Sequence, residues 1–309
     1  MKIPVIIDTD PGMDDAIAIF LAFSSDKLDI KALTTVAGNI PLERTTRNAL
    51  DLVRYIEAET KVAQGAHRPL IKTLETAEWV HGNTGLGTLI LPESPNDVYY
   101  KKAWNTIYEE AQACDGKLQL ICLGPLTNIA ITLMVHPDIK DKIEKITLMG
   151  GSSYLGNTTP SAEFNIYVDA EAADIVFKSG IPITMVTLDA TNKSIVKENE
   201  IREICSIESR VSSAVKELLY FNADFRKRSS GLDGAIIHDA LAVATVIEPD
   251  IIEKGNYHVG IETEGKLTYG RTVIDMERVT KNNPNAEVSL GLDREKFVEM
   301  FKDMMKAYI

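Results

Sequence analysis

Apolar and polar positions follow two rhythms along the chain. Short, nearly continuous apolar runs recur at residues 3–7, 32–36, 118–123, 143–149 and 183–188. Runs of this length and β-branched content read as strands buried on both faces. Longer stretches with helical spacing lie at 14–23, 42–57, 128–135, 170–178 and 211–225. The first of these opens on two acids and continues apolar, as a helix start does. Strand and helix in alternation predict an α/β fold, with a mostly parallel sheet covered by helices on both faces. Beyond residue 253 the pattern changes to extended segments at 257–262 and 287–290, then a closing helix from residue 294. No Pro/Gly/Ser-rich linker and no repeat divides the chain, so residues 1–309 are expected to form a single domain.

Composition narrows the classes of function. Hydrophobic residues make up 45% of the 309 and charged residues 25%, enough apolar material for a core without disulfide or metal staples. Acids outnumber bases 45 to 33, and the net charge of −12 argues against binding nucleic acid or an anionic membrane through phosphate contacts. The longest apolar run, 16–23, is far too short to span a bilayer. The opening segment carries one lysine and a brief apolar stretch before Asp8, unlike a secretory signal. Three cysteines without a C-x-x-C spacing fit neither a disulfide framework nor a zinc site, so a cytoplasmic location is expected.

In open parallel sheets, ligands bind outside the carboxyl ends of the strands. The first strand ends in Asp8-Thr9-Asp10-Pro11-Gly12-Met13-Asp14-Asp15. Four carboxylates in eight residues repel one another unless a cation or a helix dipole compensates, and all-oxygen donors suit a hard cation such as Ca2+ or Mg2+. The second strand leads into Gly38-Asn39. The strand at 118–123 runs into Gly124-Pro125-Leu126-Thr127-Asn128, where the turn can leave the Leu123 carbonyl free for a cation and Thr127 or Asn128 can cap a helix. Met149-Gly150-Gly151 closes another strand and precedes Asn157, Glu163 and Asn165. Glu163 and Asn165 would point the same way in an extended segment, and a carboxylate with two amides suits a polyhydroxylated ligand such as a sugar. His238-Asp239 opens the apolar stretch 240–247, and His81 lies in a Gly- and Asn-rich segment that reads as a mobile loop.

Together these motifs resemble the inosine–uridine-preferring nucleoside hydrolases. Asp8 to Ala16 closely matches the N-terminal signature of that family. The likeness continues in order through Val36-Ala37-Gly38-Asn39, His81-Gly82, Gly124 to Asn128, Met149-Gly150-Gly151, Ala162-Glu163-Phe164-Asn165 and His238-Asp239, over about residues 3–275. The resemblance implies one domain with a Rossmann-like core, assembled as a homo-oligomer (tetramer or dimer), that hydrolyses the N-glycosidic bond of ribonucleosides. It implies Ca2+ held by Asp10, Asp15, Asp239 and the Leu123 main-chain oxygen. Asp14, Asn39, Met149, Asn157, Glu163 and Asn165 would bind the ribose, beside Asp239 with its ion, and His81 would face the base. His238 matches the histidine proposed as acid towards the departing base, and Asp10 is the expected general base. The segment 220–230 supplies Tyr220, Phe221 and Phe225 for the base side but ends in Arg226-Lys227-Arg228-Ser229-Ser230, which leaves the base preference open.

Two other classes fit parts of the pattern. In a haloacid-dehalogenase-like phosphatase the D-x-D after the first strand would make Asp8 a nucleophile. A non-catalytic nucleoside or sugar binder would use the same pocket without turnover.

Overall fold

In a computed structural model that describes residues 2–309, the expected alternation builds one eight-stranded sheet. Its strands are β1 (Ile3–Thr9), β2 (Leu28–Thr35), β3 (Lys61–Gln64), β4 (Leu118–Cys122), β5 (Ile143–Met149) and β6 (Ile183–Val186), joined by β9 (Ile252–Tyr257) and β12 (Ala286–Leu292). The intervening pairs, β7 (Ile195–Val196) with β8 (Ala235–Ile236) and β10 (Val259–Ile261) with β11 (Thr272–Ile274), form small separate ribbons. The main sheet runs β3-β2-β1-β4-β5-β6-β12-β9, and every pairing is parallel except β12 with β9.

Side chains alternate across the sheet with period two, which divides the core into two layers. Val5, Ile7, Leu33 and Ile121 face the layer shared by the helices Met13–Ser24, Leu42–Tyr55, His238–Ile247 and Arg294–Ala307. Ile6, Ala32, Leu120 and Cys122 face the other, under Ala103–Ala113, Thr127–Val135 and Ala170–Phe177. The helix His238–Ile247 is buried from its first residue through Val246, which explains its lack of a polar face.

The chain proceeds from β1 outward through β2 to β3, then returns to place β4 against the other side of β1. That reversal opens a crevice between the carboxyl ends of β1 and β4, the expected position of a site in such sheets. Register brings Asp8 opposite Cys122, and the Leu123 amide donates to the Asp8 carbonyl at 2.7 Å.

Several expectations change in detail. The strand expected at 32–36 begins at Leu28, and the helix expected at 211–225 runs from Ser212 to Ser230. Thr127 and Asn128 do not cap their helix. Thr127 donates to Asp169 (2.6 Å), while Asn128 joins the buried Asp8 carboxylate (2.7 Å) to the Thr35 carbonyl and the Ala66 amide.

Candidate active site

The acids after β1 are drawn together by the turn that starts the first helix. Gly12 and Asp10 donate their amides to the two Asp15 oxygens at 3.0 and 3.3 Å, and Thr9 adds a hydroxyl at 2.5 Å. Asn39, following β2, reaches across with its side-chain amide to Asp15 Oδ2 (3.1 Å) and the Asp10 carbonyl (3.3 Å). Its main-chain N–H donates to Asp10 Oδ2 at 2.6 Å. Asp239 arrives from the start of the helix His238–Ile247. Asp14, Asp15 and Asp239 each offer an oxygen within 4.8 Å of the others.

Asp14, not Asp10, therefore completes the tightest carboxylate trio. Asp10 lies beside it with no exposed surface, and its Oδ1 is buried without a hydrogen-bond donor. Burial, reinforced by the Asp15 and Asp14 charges, pushes the Asp10 carboxyl well above its usual range. Asp239 is pushed up in the same way, by burial and then by Asp14, Asp15 and Asp10. These acids can all ionise only with a compensating positive charge, and one has an oxygen that lacks a partner. That donor set fits a divalent cation of the Ca2+ type.

A cavity with about 700 Å³ of empty space, its solvent mouth included, opens over this cluster. Asp14, Asn39, His81, Leu123, Met149, Asn157, Glu163, Asn165, His238 and Asp239 line it, whereas Asp10 and Asp15 lie behind them. Glu163 caps the helix Phe164–Val168, accepting from the amides of Gly151, Asn165 and Ile166 at 2.9–3.2 Å. The segment is thus a cap and a helical turn, not the extended stretch expected, yet both Glu163 and Asn165 reach the cavity. Burial pushes Glu163 upward despite those three donors. Asn165 donates to the Leu123 carbonyl at 2.7 Å and to the Met149 carbonyl at 3.1 Å, so the Leu123 oxygen is not free of partners as the turn had suggested. Asn157 is exposed and accepts from the Phe164 amide at 2.9 Å.

The opposite wall is aromatic and basic. His81 belongs to the short helix Glu78–His81 and is buried, contrary to the mobile loop expected. Its Nδ1 accepts from the Met13 amide at 3.2 Å, and burial lowers its pKa to about 4. His238 contacts Thr191 Oγ1 through Nδ1 and Arg226 Nη2 through Nε2, both at 2.8 Å. Burial lowers its pKa well below the usual histidine value, and Arg226 and then His81 push the same way.

Trp79, Phe164, Asn222, Phe225 and Arg226 also line the cavity. Of these, only Phe225 was expected there. Asn222, Phe225 and Arg226 stand at i, i+3 and i+4 of one helix, a spacing that marks a common face. Tyr220 and Phe221 instead border a separate surface groove with Thr88 and Lys216. Asp8, fully buried by Thr34 and Asn128 and pushed up to about 7 by burial, does not line the cavity and is no nucleophile of the phosphatase kind.

A parallel α/β sheet with buried carboxylates and an amide-lined cavity at its switch point defines a site suited to polyhydroxylated ligands. The chain belongs to the inosine–uridine preferring nucleoside hydrolase family, whose model matches residues 5–299. It is an N-ribosyl hydrolase. It is 41% identical, over the whole of both chains, to the pyrimidine-specific ribonucleoside hydrolase RihA of Escherichia coli O1:K1. A purine-preferring ribonucleoside hydrolase from Gardnerella vaginalis superposes with a TM-score of 0.92 at 31% identity, covering 98% of each chain. The plant nucleoside hydrolase PpNRh1 does so with 0.93 at 29% identity over 99% of each. No helix among the described residues is long and apolar enough to cross a membrane.

Proposed function

We propose that the chain cleaves the N-glycosidic bond of ribonucleosides, purine and/or pyrimidine, giving ribose and the free base. The cluster of buried carboxylates at the floor of the amide-lined cavity carries this reading. In it Asp10, Asp15, Asp239 and the Leu123 carbonyl would hold Ca2+, and Asp14 has an oxygen within 4.8 Å of those of Asp15 and Asp239. When bound, Ca2+ would supply the positive charge that lets these carboxylates ionise together and would act as a Lewis acid towards water and sugar hydroxyls. Asn39, Asn157, Glu163, Asn165 and Met149 surround the sugar, and Asp14 reaches its hydroxyls. As the C–N bond lengthens the sugar becomes oxocarbenium-like, and the ring of acids and amides stabilises that charge.

Asp10 takes the proton of the attacking water. Its Oδ1 has no competing donor, so that oxygen is the one available to receive the proton. The departing base lies on the side of His81, His238, Phe225 and Arg226. A pyrimidine-specific and a purine-preferring relative share the fold, so base preference is set by side chains on this wall and not by the fold. The enzyme acts as a homo-oligomer in the cytoplasm.

Reducing-sugar release from a panel of purine and pyrimidine ribonucleosides, with and without chelator, tests the proposal. Ribose release that stops on metal removal and returns with Ca2+ is the expected result. Phosphate release would mark a phosphatase instead. Binding without turnover would mark a nucleoside receptor.

A further inference from the structure

Arg226 brings the one permanently cationic side chain, among the described residues, to the cavity wall. It stands on the helix Ser212–Ser230, four residues past Asn222, which also faces the cavity. Its guanidinium packs 5.9 Å from the centre of the Phe225 ring, and its buried Nε has no acceptor. A buried guanidinium N–H without an acceptor is costly and calls for a partner.

The contact between Arg226 and His238 fixes the direction of the hydrogen bond. Guanidinium offers five donors and no acceptor, so Nη2 donates and His238 Nε2 must present its lone pair. The imidazole proton then resides on Nδ1, where Thr191 Oγ1 receives it at 2.8 Å. In this arrangement His238 has no proton to give on its cavity side, while Arg226 retains donors that nothing else uses.

We propose that Arg226 is the leaving-group residue. It hydrogen-bonds the departing nucleobase at a carbonyl or ring-nitrogen acceptor and stabilises it as an anion. His238 is a positioning residue that holds the guanidinium through Nε2. The inference rests on the ribonucleoside hydrolase reading above and deepens it. In the step itself the C–N bond breaks and its electron pair stays on the base nitrogen. The attacking water forms the new C–O bond and gives one proton to Asp10; solvent water protonates the released base, and the hydroxide so formed takes the proton back from Asp10. Overall, one water is consumed, and one ribose and one neutral base are formed. A fixed cation suits this task because it keeps its charge throughout and needs no reorganisation.

The test compares natural ribonucleosides with p-nitrophenyl riboside, whose leaving group is already a stable anion. For Arg226→Gln, kcat on uridine and inosine should fall about 10²- to 10³-fold, the usual loss when one preorganised donor is removed. The loss on p-nitrophenyl riboside should be at most about a tenth of that loss. Free guanidinium should restore part of the nucleoside rate in Arg226→Ala but not in the parent enzyme. His238→Ala should show the same selective pattern. In the double variant with Arg226→Gln the two losses should not multiply, because one residue acts through the other.

Equal losses on both substrate types in Arg226→Gln and Arg226→Lys would make the guanidinium a scaffold and overturn the proposal. Unchanged nucleoside rates, or multiplying losses in the double variant, would overturn it as well. Failure of the parent enzyme to release ribose from any nucleoside would sink the hydrolase reading itself, a result distinct from any behaviour of the variants.

Discussion

Asp10 has no exposed surface and one carboxylate oxygen that no donor reaches, while Asn39 fixes the other at 2.6 Å. A residue held in this way has one free direction in which to act, and on the proposed reading it serves as both ligand and base. Asp10→Asn keeps the shape and removes the charge. It should lower kcat on ribonucleosides by at least about 10²-fold, within the 10²- to 10⁴-fold typical of a general base. Steady-state ribose release with saturating Ca2+ checks this, and a loss under threefold would exclude the base role. Most of the residues that meet at the cavity were legible because their chemistry is crowded into strand ends. Four acids in eight residues need an explanation, as does His238-Asp239 before an apolar run. Arg226 was not legible, because Arg226-Lys227-Arg228 reads as a solvated charge run. Only the helical spacing with Asn222 and Phe225, once the helix is known to face inward, separates Arg226 from its exposed neighbour Lys227.

At the scale of elements, the turns after β2 and β4 approach Asp10 so closely that they tolerate no side chain. A Cβ at Gly38 would stand 2.1 Å from Asp10 Oδ2 and 2.7 Å from the Pro125 ring, and one at Gly124 would stand 2.5 Å from Asp10 Oδ1. Asn39 prevents that carboxylate from simply swinging away. Gly38→Ala and Gly124→Ala should each weaken Ca2+ binding by tenfold or more, roughly 1.4 kcal/mol, while the chain still folds. Calorimetric titration with Ca2+, alongside circular dichroism, would test both halves of that statement; parent-like affinity would refute it.

Across the sheet from the site, Glu287 on β12 accepts from Lys145 on β5 (2.6 Å) and Thr184 on β6 (2.9 Å), and pairs with Lys254 on β9 (3.0 Å). Burial would raise its pKa, but these partners prevail and hold it at about 2, below the ordinary value of 4.5. A carboxylate depressed on folding stabilises the native state above the unfolded value, and the contribution vanishes as pH falls through the folded one. Glu287→Gln should therefore lower the melting temperature at neutral pH, with the gap to the parent closing between about pH 4.5 and 2. A gap that stayed constant over that window would show that Glu287 contributes packing alone. The strand β5 was legible to the residue because Lys142 precedes its first apolar residue and Gly150-Gly151 break the chain after its last. The strand β3, only Lys-Val-Ala-Gln, was missed: four residues with two polar ends carry no period, and pairing with β2, with a bridge from Ala63 to Tyr99, makes them a strand. The helix Ala103–Ala113 was missed for a related reason, since only Ala103, Thr106, Ile107 and Ala111 of it are buried and Ile107 is the one large apolar side chain among them.

For the molecule as a whole, the number of polar groups around the expected ribose exceeds what the base side offers. A buried site built to bind a hydroxyl rejects an analogue lacking it, because the unpaired groups cost more than the contact contributed. Ribonucleosides should exceed their 2′-deoxy counterparts at least about a hundredfold in kcat/KM. Equal rates on inosine and deoxyinosine would remove the amides and Glu163 from the sugar-binding role.

The acids that line the cavity have one more effect, on substrates that already carry charge. Asp14, Glu163 and Asp239 face its interior, and the chain around them has a net charge of −12. A nucleoside 5′-monophosphate would bring about two negative charges into that field at neutral pH. Uridine 5′-monophosphate should therefore be hydrolysed at less than about one hundredth of the kcat/KM of uridine, a ratio that added salt would narrow only at the outer surface. Comparable rates would mean that the field does not reach the phosphate. The acidity that favours an oxocarbenium-like sugar would also act as a filter, sparing phosphorylated nucleosides and admitting only those from which the phosphate has been removed.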